Sequence, residues 1–90
     1  MATVSGVVEV TVRYWAAARD AAGVAEESLV ADTLAAMIAT AVDQHGQRLA
    51  EVLALCSFLV DEEPVGRRDP GTVALRPGSV VEALPPFAGG

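Results

Sequence analysis

The chain contains no lysine: Arg13, Arg19, Arg48, Arg67, Arg68 and Arg76 are its only basic residues. Its remaining primary amine is the α-amino group. Cations are scarce as well as uniform, 6 against 12 acidic residues, for a formal net charge of −6. That sign disfavours nucleic acid and anionic membranes as partners, since both require a cationic patch. It suits docking onto a basic protein surface. Cysteine and histidine occur once each, as Cys56 and His45. One cysteine forms no internal disulfide and fits a reducing compartment. A four-thiolate iron–sulfur cluster is excluded, and no zinc-ligand spacing exists, so no bound metal is expected. The segment 1–6 has no charged n-region, and 7–15 carries Glu9 and Arg13. No signal peptide is expected. No apolar run approaches the ~20 residues of a membrane span. A cytoplasmic chain is the expectation.

Length sets a further bound. Ninety residues make one small domain, which buries only ~60–65% of its unfolded surface. A large enclosed substrate cavity would consume that core, so an enzyme complete in itself is not expected. A hydrophobic content of 52% argues against disorder. No internal repeat or low-complexity tract is present.

Hydrophobic periodicity then outlines the elements. In Val7–Trp15, Val8, Val10, Val12 and Tyr14 alternate with Val7, Glu9, Thr11 and Arg13, the period-two pattern of a strand with one buried face. Residues 16–23 read as a connection ending in Gly23, and 25–30 as a second strand, together a hairpin. Asp32 or Thr33 is placed to cap a helix. Leu34, Met37, Ile38, Ala41, Val42 and His45 recur at helical spacing, and Gly46 is a natural stop. Leu49, Val52, Leu53 and Cys56 continue as a second short helical segment, with Arg48 and Glu51 outside. SFLV (57–60) reads as a buried strand entering a turn at Asp61-Glu62-Glu63-Pro64, where Pro64 rules out a long central strand. TVAL (72–75) is a brief strand between turns at Asp69-Pro70-Gly71 and Arg76-Pro77-Gly78. SVVEAL (79–84) is the last strand. The expected class is α+β: a mixed sheet with one main helix packed across one face and a short second helical segment. Residues 1–84 form the domain, and 85–90 an extended, flexible tail ending in Gly-Gly.

That tail carries the most specific pattern. Pro85-Pro86 is stiff and extended, Phe87 is a large apolar group, and only Ala88, Gly89 and Gly90 follow. A carboxylate is a poor electrophile until activated, for example as an acyl adenylate. An enzyme that activates a protein terminus must thread it through a narrow channel. Gly89 and Gly90 let the backbone approach a nucleotide closely. Pro85-Pro86 would hold the tail off the domain and reduce the entropy lost on insertion. Phe87 would anchor it in an apolar pocket.

VTVRYWAAARDAAGVAEE (10–27), CSFLVDEEPV (56–65) and PGSVVEALPPFAGG (77–90) resemble the small, sulfur-carrying subunit of molybdopterin synthase, the MoaD branch of the ubiquitin-like sulfur carriers. The resemblance implies a β-grasp fold and a chain that is not catalytic by itself. It implies that a MoeB-like adenylating enzyme uses ATP to adenylate the Gly90 carboxylate. A sulfur donor protein then converts the adenylate to a thiocarboxylate. The tail, Pro85 to Gly90, enters a MoaE-like large subunit in a heterotetrameric synthase, where the Gly90 sulfur attacks the pterin precursor of the molybdenum cofactor. No cofactor is bound by the chain itself. Two departures stand out: 41–56 is longer and richer in alanine than in many relatives, and Glu82 and Ala83 replace bulkier apolar residues.

Other candidates have plainer readings. Cys56 ends an apolar helical face with no base beside it in sequence, the setting of a buried, inert thiol. His45 suits a capping or surface role. The Asp61-Glu62-Glu63 carboxylates suit a solvated turn, and Arg67-Arg68 is too short for nucleic acid. One of Tyr14 and Trp15 belongs to the core and the other to a partly exposed position suited to a partner interface. Three functions follow: a molybdopterin sulfur carrier; a carrier for thiazole or cysteine synthesis, or a ubiquitin-like modifier; and a passive β-grasp interaction module. Pro85-Pro86 favours the first, because thiazole carriers tend to be shorter and to lack it.

Overall fold

The computed structural model describes residues 6–86. Strand β1, Val8–Tyr14, turns Val10, Val12 and Tyr14 into the core and leaves Arg13 exposed. Strand β2, Glu26–Ala31, pairs with it antiparallel, Val10 opposite Leu29 and Arg13 opposite Glu26. The expected pairing is present, but the connection is not a loop. Ala16–Ala22 forms helix α1, with alanine at five of its seven positions. Alanine is the best helix former yet too small to write an apolar stripe, although Ala18 and Ala22 are buried. Gly23 closes the helix at φ 80°, its N–H donating to the Arg19 carbonyl. To the main helix and the short second segment expected, α1 adds a third helix among the described residues.

Helix α2, Leu34–His45, starts at Thr33 rather than Asp32, because Thr33 Oγ1 accepts from the Ala36 N–H at 3.1 Å. Leu34, Met37 and Ala41 are buried against the sheet, flanked by half-buried Ile38 and Val42. Gly46, at φ 102°, joins α2 to helix α3, Gln47–Leu53. Leu49 and Leu53 are buried and Arg48 and Glu51 exposed, as the spacing requires. Cys56 lies beyond the end of α3 rather than on it.

Strand β3, Ser57–Val60, is half-buried rather than buried. It meets the two-residue strand β4, Glu63–Pro64, at the edge of the sheet, the position proline tolerates. Val60 pairs with Glu63, so Asp61 and Glu62 are the central residues of a tight hairpin, at φ 50° and 72°. Such a turn favours Asn-Gly, because side chains at positive φ crowd the backbone. Asp61 is retained by its contacts: it accepts from Ser79 Oγ and from the Val80 N–H, each at 2.9 Å. Glu62 has none of these. Glu62→Gly is expected to raise stability by about 0.5–1 kcal/mol, the relief of left-handed strain less the extra backbone entropy of glycine. A later urea midpoint checks this; an earlier one would assign the Glu62 side chain a structural contact.

The strand expected over 72–75 is not part of the sheet. Asp69 Oδ1 accepts from the Gly71 N–H at 2.9 Å and winds Pro70–Thr72 into one 3-10 turn. The next residues instead clasp the start of α2: Leu34 N–H donates to Val73 O and Leu75 N–H to Asp32 O, each at 3.0 Å. Val73 and Leu75 thereby fill the core. Strand β5, Val80–Leu84, lies between β1 and β3, parallel to the first and antiparallel to the second. The sheet order is β2-β1-β5-β3-β4. The helices cover the face carrying Val10, Val12, Leu29, Val81 and Ala83, and the opposite face is open. This is the ubiquitin-like β-grasp fold. Among the described residues no helix is long and apolar enough to cross a membrane.

Candidate functional site

Because β5 runs parallel to β1, the chain leaves the sheet at the end where β1 stops. The Trp15 N–H donates to Ala83 O at 3.2 Å, extending the ladder one residue past β1. On the other side Leu84 pairs with Ser57. Pro85 and Pro86 therefore emerge between the start of α1 and the segment joining α3 to β3. Trp15, Ala16, Leu84 and Pro85 border a shallow recess of about 120 Å³. Large apolar side chains are exposed at this end of the molecule, among them Trp15 at 47% and Leu55 at 69%. The Trp15 indole is fixed in place: its Nε1–H donates to Glu82 Oε1 at 3.1 Å. Glu82, one of the departures from the resembled family, thus has a defined task on the open face.

That open face is acidic. Glu9, Glu26 and Glu82 lie on it with Arg13, which pairs with Glu26 at 3.6 Å. Ser28 Oγ donates to Glu9 Oε2 at 2.6 Å. Val30 is exposed on β2. An apolar collar at the tail, set beside an acidic face, has the make-up of a protein-docking surface rather than of a catalytic cleft.

Of the expected site residues, the structure places Pro85 against Trp15 and leaves Pro86 exposed. Phe87, Ala88, Gly89 and Gly90 lie outside the described residues. Tyr14 is the core member of the aromatic pair, 2% exposed, and Trp15 the outer one. The contribution of Trp15 and Ala16 to the tail exit was not legible in sequence, since Trp15 meets a residue 67 positions away.

The remaining candidates fall elsewhere. Cys56 borders a mainly apolar groove of about 490 Å³ between α2, α3 and β3. Burial pushes its thiol up to about 11, so it is protonated and unreactive near neutrality. His45 closes α2 and donates through Nε2–H to Glu27 Oε2 at 2.6 Å; a carboxylate only accepts. Tyr14 Oη donates to the same oxygen at 2.5 Å. The Tyr14 and His45 rings meet edge-on, centroids 6.1 Å apart. This trio ties β1, β2 and α2 together and lines none of the tail-exit recess. Arg68 donates to the Val65 and Pro64 carbonyls, bracing the loop after β4. Among the described residues no group of three His, Cys, Asp or Glu side chains is arranged to hold a metal ion.

Comparison with known proteins agrees with this architecture. Small archaeal modifier protein 1 from Methanosarcina acetivorans superposes with a TM-score of 0.81 at 20% identity, covering 93% of this chain and 98% of that one. A putative molybdopterin converting factor subunit 1 from Pyrococcus furiosus gives 0.74 at 24% identity, over 89% and 99%. Molybdopterin-converting factor from Helicobacter pylori, solved as a complex of subunits 1 and 2, gives 0.65 at 24%, over 92% and 100%. At these identities the likeness speaks for the fold. No curated protein sequence matches. A family model does match, over residues 12–90, from inside β1 through the Gly-Gly end: the chain belongs to the ThiS family.

Proposed function

We propose that the chain is the sulfur-carrying subunit of a molybdopterin synthase, acting through a thiocarboxylate on Gly90. Membership of the ThiS family makes it a ubiquitin-like sulfur carrier or modifier. The observation that carries the reading is the exit of the tail: a central strand ends in Pro85-Pro86 at an exposed apolar collar, and a family match continues to Gly90. Among the described residues no catalytic constellation lines the exit, and in this reading the catalytic groups would be supplied by partners. An adenylating enzyme would bind ATP and transfer AMP to the Gly90 carboxylate, releasing pyrophosphate. A sulfur donor would displace AMP. The large subunit would then receive Phe87, Ala88, Gly89 and Gly90 in its pterin site. Trp15, Leu84 and Pro85 would seat against the mouth of that channel, with the acidic face on a basic partner surface. The fold likeness to a converting factor solved as a complex of subunits 1 and 2 supports a large-subunit partner. These steps suit a reducing, cytoplasmic setting.

Intact mass after incubation with ATP, an adenylating enzyme and a sulfur donor tests the proposal. Exchange of one oxygen for sulfur adds about 16 Da at Gly90, by the atomic masses. No gain with several competent enzymes would leave a β-grasp binding module. The fold match to an archaeal modifier keeps a second reading in view. Gly90 amides on lysines of other proteins, rather than a labelled pterin product, would assign that one.

A further inference from the structure

An activated terminus is exposed first of all to its own chain. Residues 85–90 span at most about 20 Å when fully extended. Their base touches Trp15 and Ala16. Arg19 follows Trp15 by about one helical turn, roughly 6 Å along α1, and Arg13 precedes it by about 7 Å of strand. Arg13, Trp15 and Arg19 line one cleft. Both cations are therefore well inside the tail's reach. Arg19 is exposed and has no ion pair among the described residues.

Their identity matters chemically. A lysine at either place would be an amine nucleophile held at an effective concentration in the millimolar range. About 0.4% of it would be unprotonated at pH 8, from its ordinary pKa. Such an amine attacks the Gly90 carbonyl carbon. A C–N bond forms, the bond to the leaving group breaks, AMP or thiolate departs, and the surplus proton passes to buffer. A guanidinium stays protonated and does none of this. The one thiol is next to Ser57, which pairs with Leu84, yet Cys56 borders the helix-side groove and not the exit. Its raised pKa, about 11 through burial, keeps it from acting as a thiolate. The Ser57 hydroxyl has no base among its described partners, and His45 is engaged with Glu27. Strand β1 begins with Val8 at the opposite end of the sheet, about 20 Å from Tyr14, and the α-amine lies outside the described residues.

We infer that the described surface within reach of the tail is cleared of competent nucleophiles, so the activated Gly90 acyl group is not captured by its own chain. The protein is accordingly an acyl or sulfur donor that never serves as a lysine acceptor, and as a modifier it would add singly rather than as lysine-linked chains. This inference rests on the activated-terminus reading above. It is tested without any adenylating enzyme, so the two fail separately.

The 90-residue chain is made as a C-terminal thioester by intein cleavage with a small thiol, for wild type, Arg19→Lys and Arg76→Lys. Each is incubated alone at about pH 8 and followed by intact mass and peptide mapping. Arg76 precedes β5, at the end of that strand away from the exit. Wild type is expected to hydrolyse to the free acid. Arg19→Lys is expected to form an internal amide, about 18 Da lighter than the acid, on the order of tenfold faster than any amide in wild type. Arg76→Lys is expected to close at least about threefold more slowly than Arg19→Lys. Wild-type closure through the α-amine or Cys56 at the Arg19→Lys rate would overturn the inference. So would hydrolysis alone in Arg19→Lys under conditions where added free lysine is acylated. Equal closure from positions 19 and 76 would overturn the spatial argument.

Discussion

Gly89→Leu is expected to abolish adenylation of the chain, lowering its rate at least about 100-fold, while thermal unfolding stays within about 2 °C of wild type. The two halves of this expectation have different causes. Activation requires the last residues to lie extended in a partner's channel with the backbone close to a nucleotide. Glycine leaves that approach clear, and a Cβ with a branched side chain closes it. A 100-fold loss corresponds to about 2.7 kcal/mol of barrier, a modest demand on a steric clash. Stability is expected to hold because the core formed by the described residues runs from Val10 to Ala83. Adenylation is read by pyrophosphate release or by trapping of the AMP adduct, and unfolding by calorimetry. Normal activation of Gly89→Leu would remove the threading argument. A drop in stability like that of a core leucine deletion, ~2–5 kcal/mol, would instead assign the tail a place in the fold.

The legible and illegible parts of the sequence separate along physical lines. Strand β1 and helix α2 were legible because each writes its period in large side chains: Val10, Val12 and Tyr14 at spacing two, Leu34, Met37 and Ala41 at three and four. The stop at Gly46 was legible because glycine suits its positive φ, and the turn at Asp61-Glu62 because a polar run ending in Pro64 follows an apolar strand. Helix α1 was not, because AAARDAA packs through Ala18 and Ala22, whose methyl groups register weakly on any hydrophobicity pattern. The segment 72–75 has a β-rich composition, yet Asp69 captures the Gly71 N–H locally and turns the chain before a strand can start. Glu27 shares the inward parity of Leu29 and Ala31. An inward carboxylate is costly without partners, and its partners, Tyr14 and His45, come from 13 and 18 residues away. The candidate site divides in the same manner. Its tail was readable as a motif, whereas the collar of Trp15 and Ala16 arises only from the parallel pairing of β1 with β5.

Glu27→Ala is expected to be the most damaging polar substitution among the described residues, lowering the free energy of unfolding by about 2–3 kcal/mol. One carboxylate oxygen accepts from both Tyr14 Oη and His45 Nε2, and its removal leaves the donors of buried Tyr14 and half-buried His45 without their acceptor. Tyr14→Phe removes only one of those bonds and is expected to cost about 1–2 kcal/mol. The pH dependence distinguishes this trio from simple packing. The Tyr14 phenol is held well above its ordinary value, first by burial, then by its hydrogen bond to Glu27 and the charge of that carboxylate. The folded state therefore retains a proton that the unfolded chain gives up above about pH 10. Its contribution is complete below that pH and is lost as pH rises further. Cys56, pushed up to about 11, loses its contribution between about pH 9 and 11 by the same sign. Urea midpoints measured from about pH 7 to about pH 11 should fall along this limb. Cys56→Ala should remove the earlier part of the fall and Tyr14→Phe the later part. Glu27→Ala should shrink the later part without removing it, since burial, the largest cause of the shift, remains. A Tyr14→Phe variant with the full wild-type alkaline fall would show that another group carries it. A Glu27→Ala cost under about 0.5 kcal/mol would make the trio a surface contact with no hold on the fold.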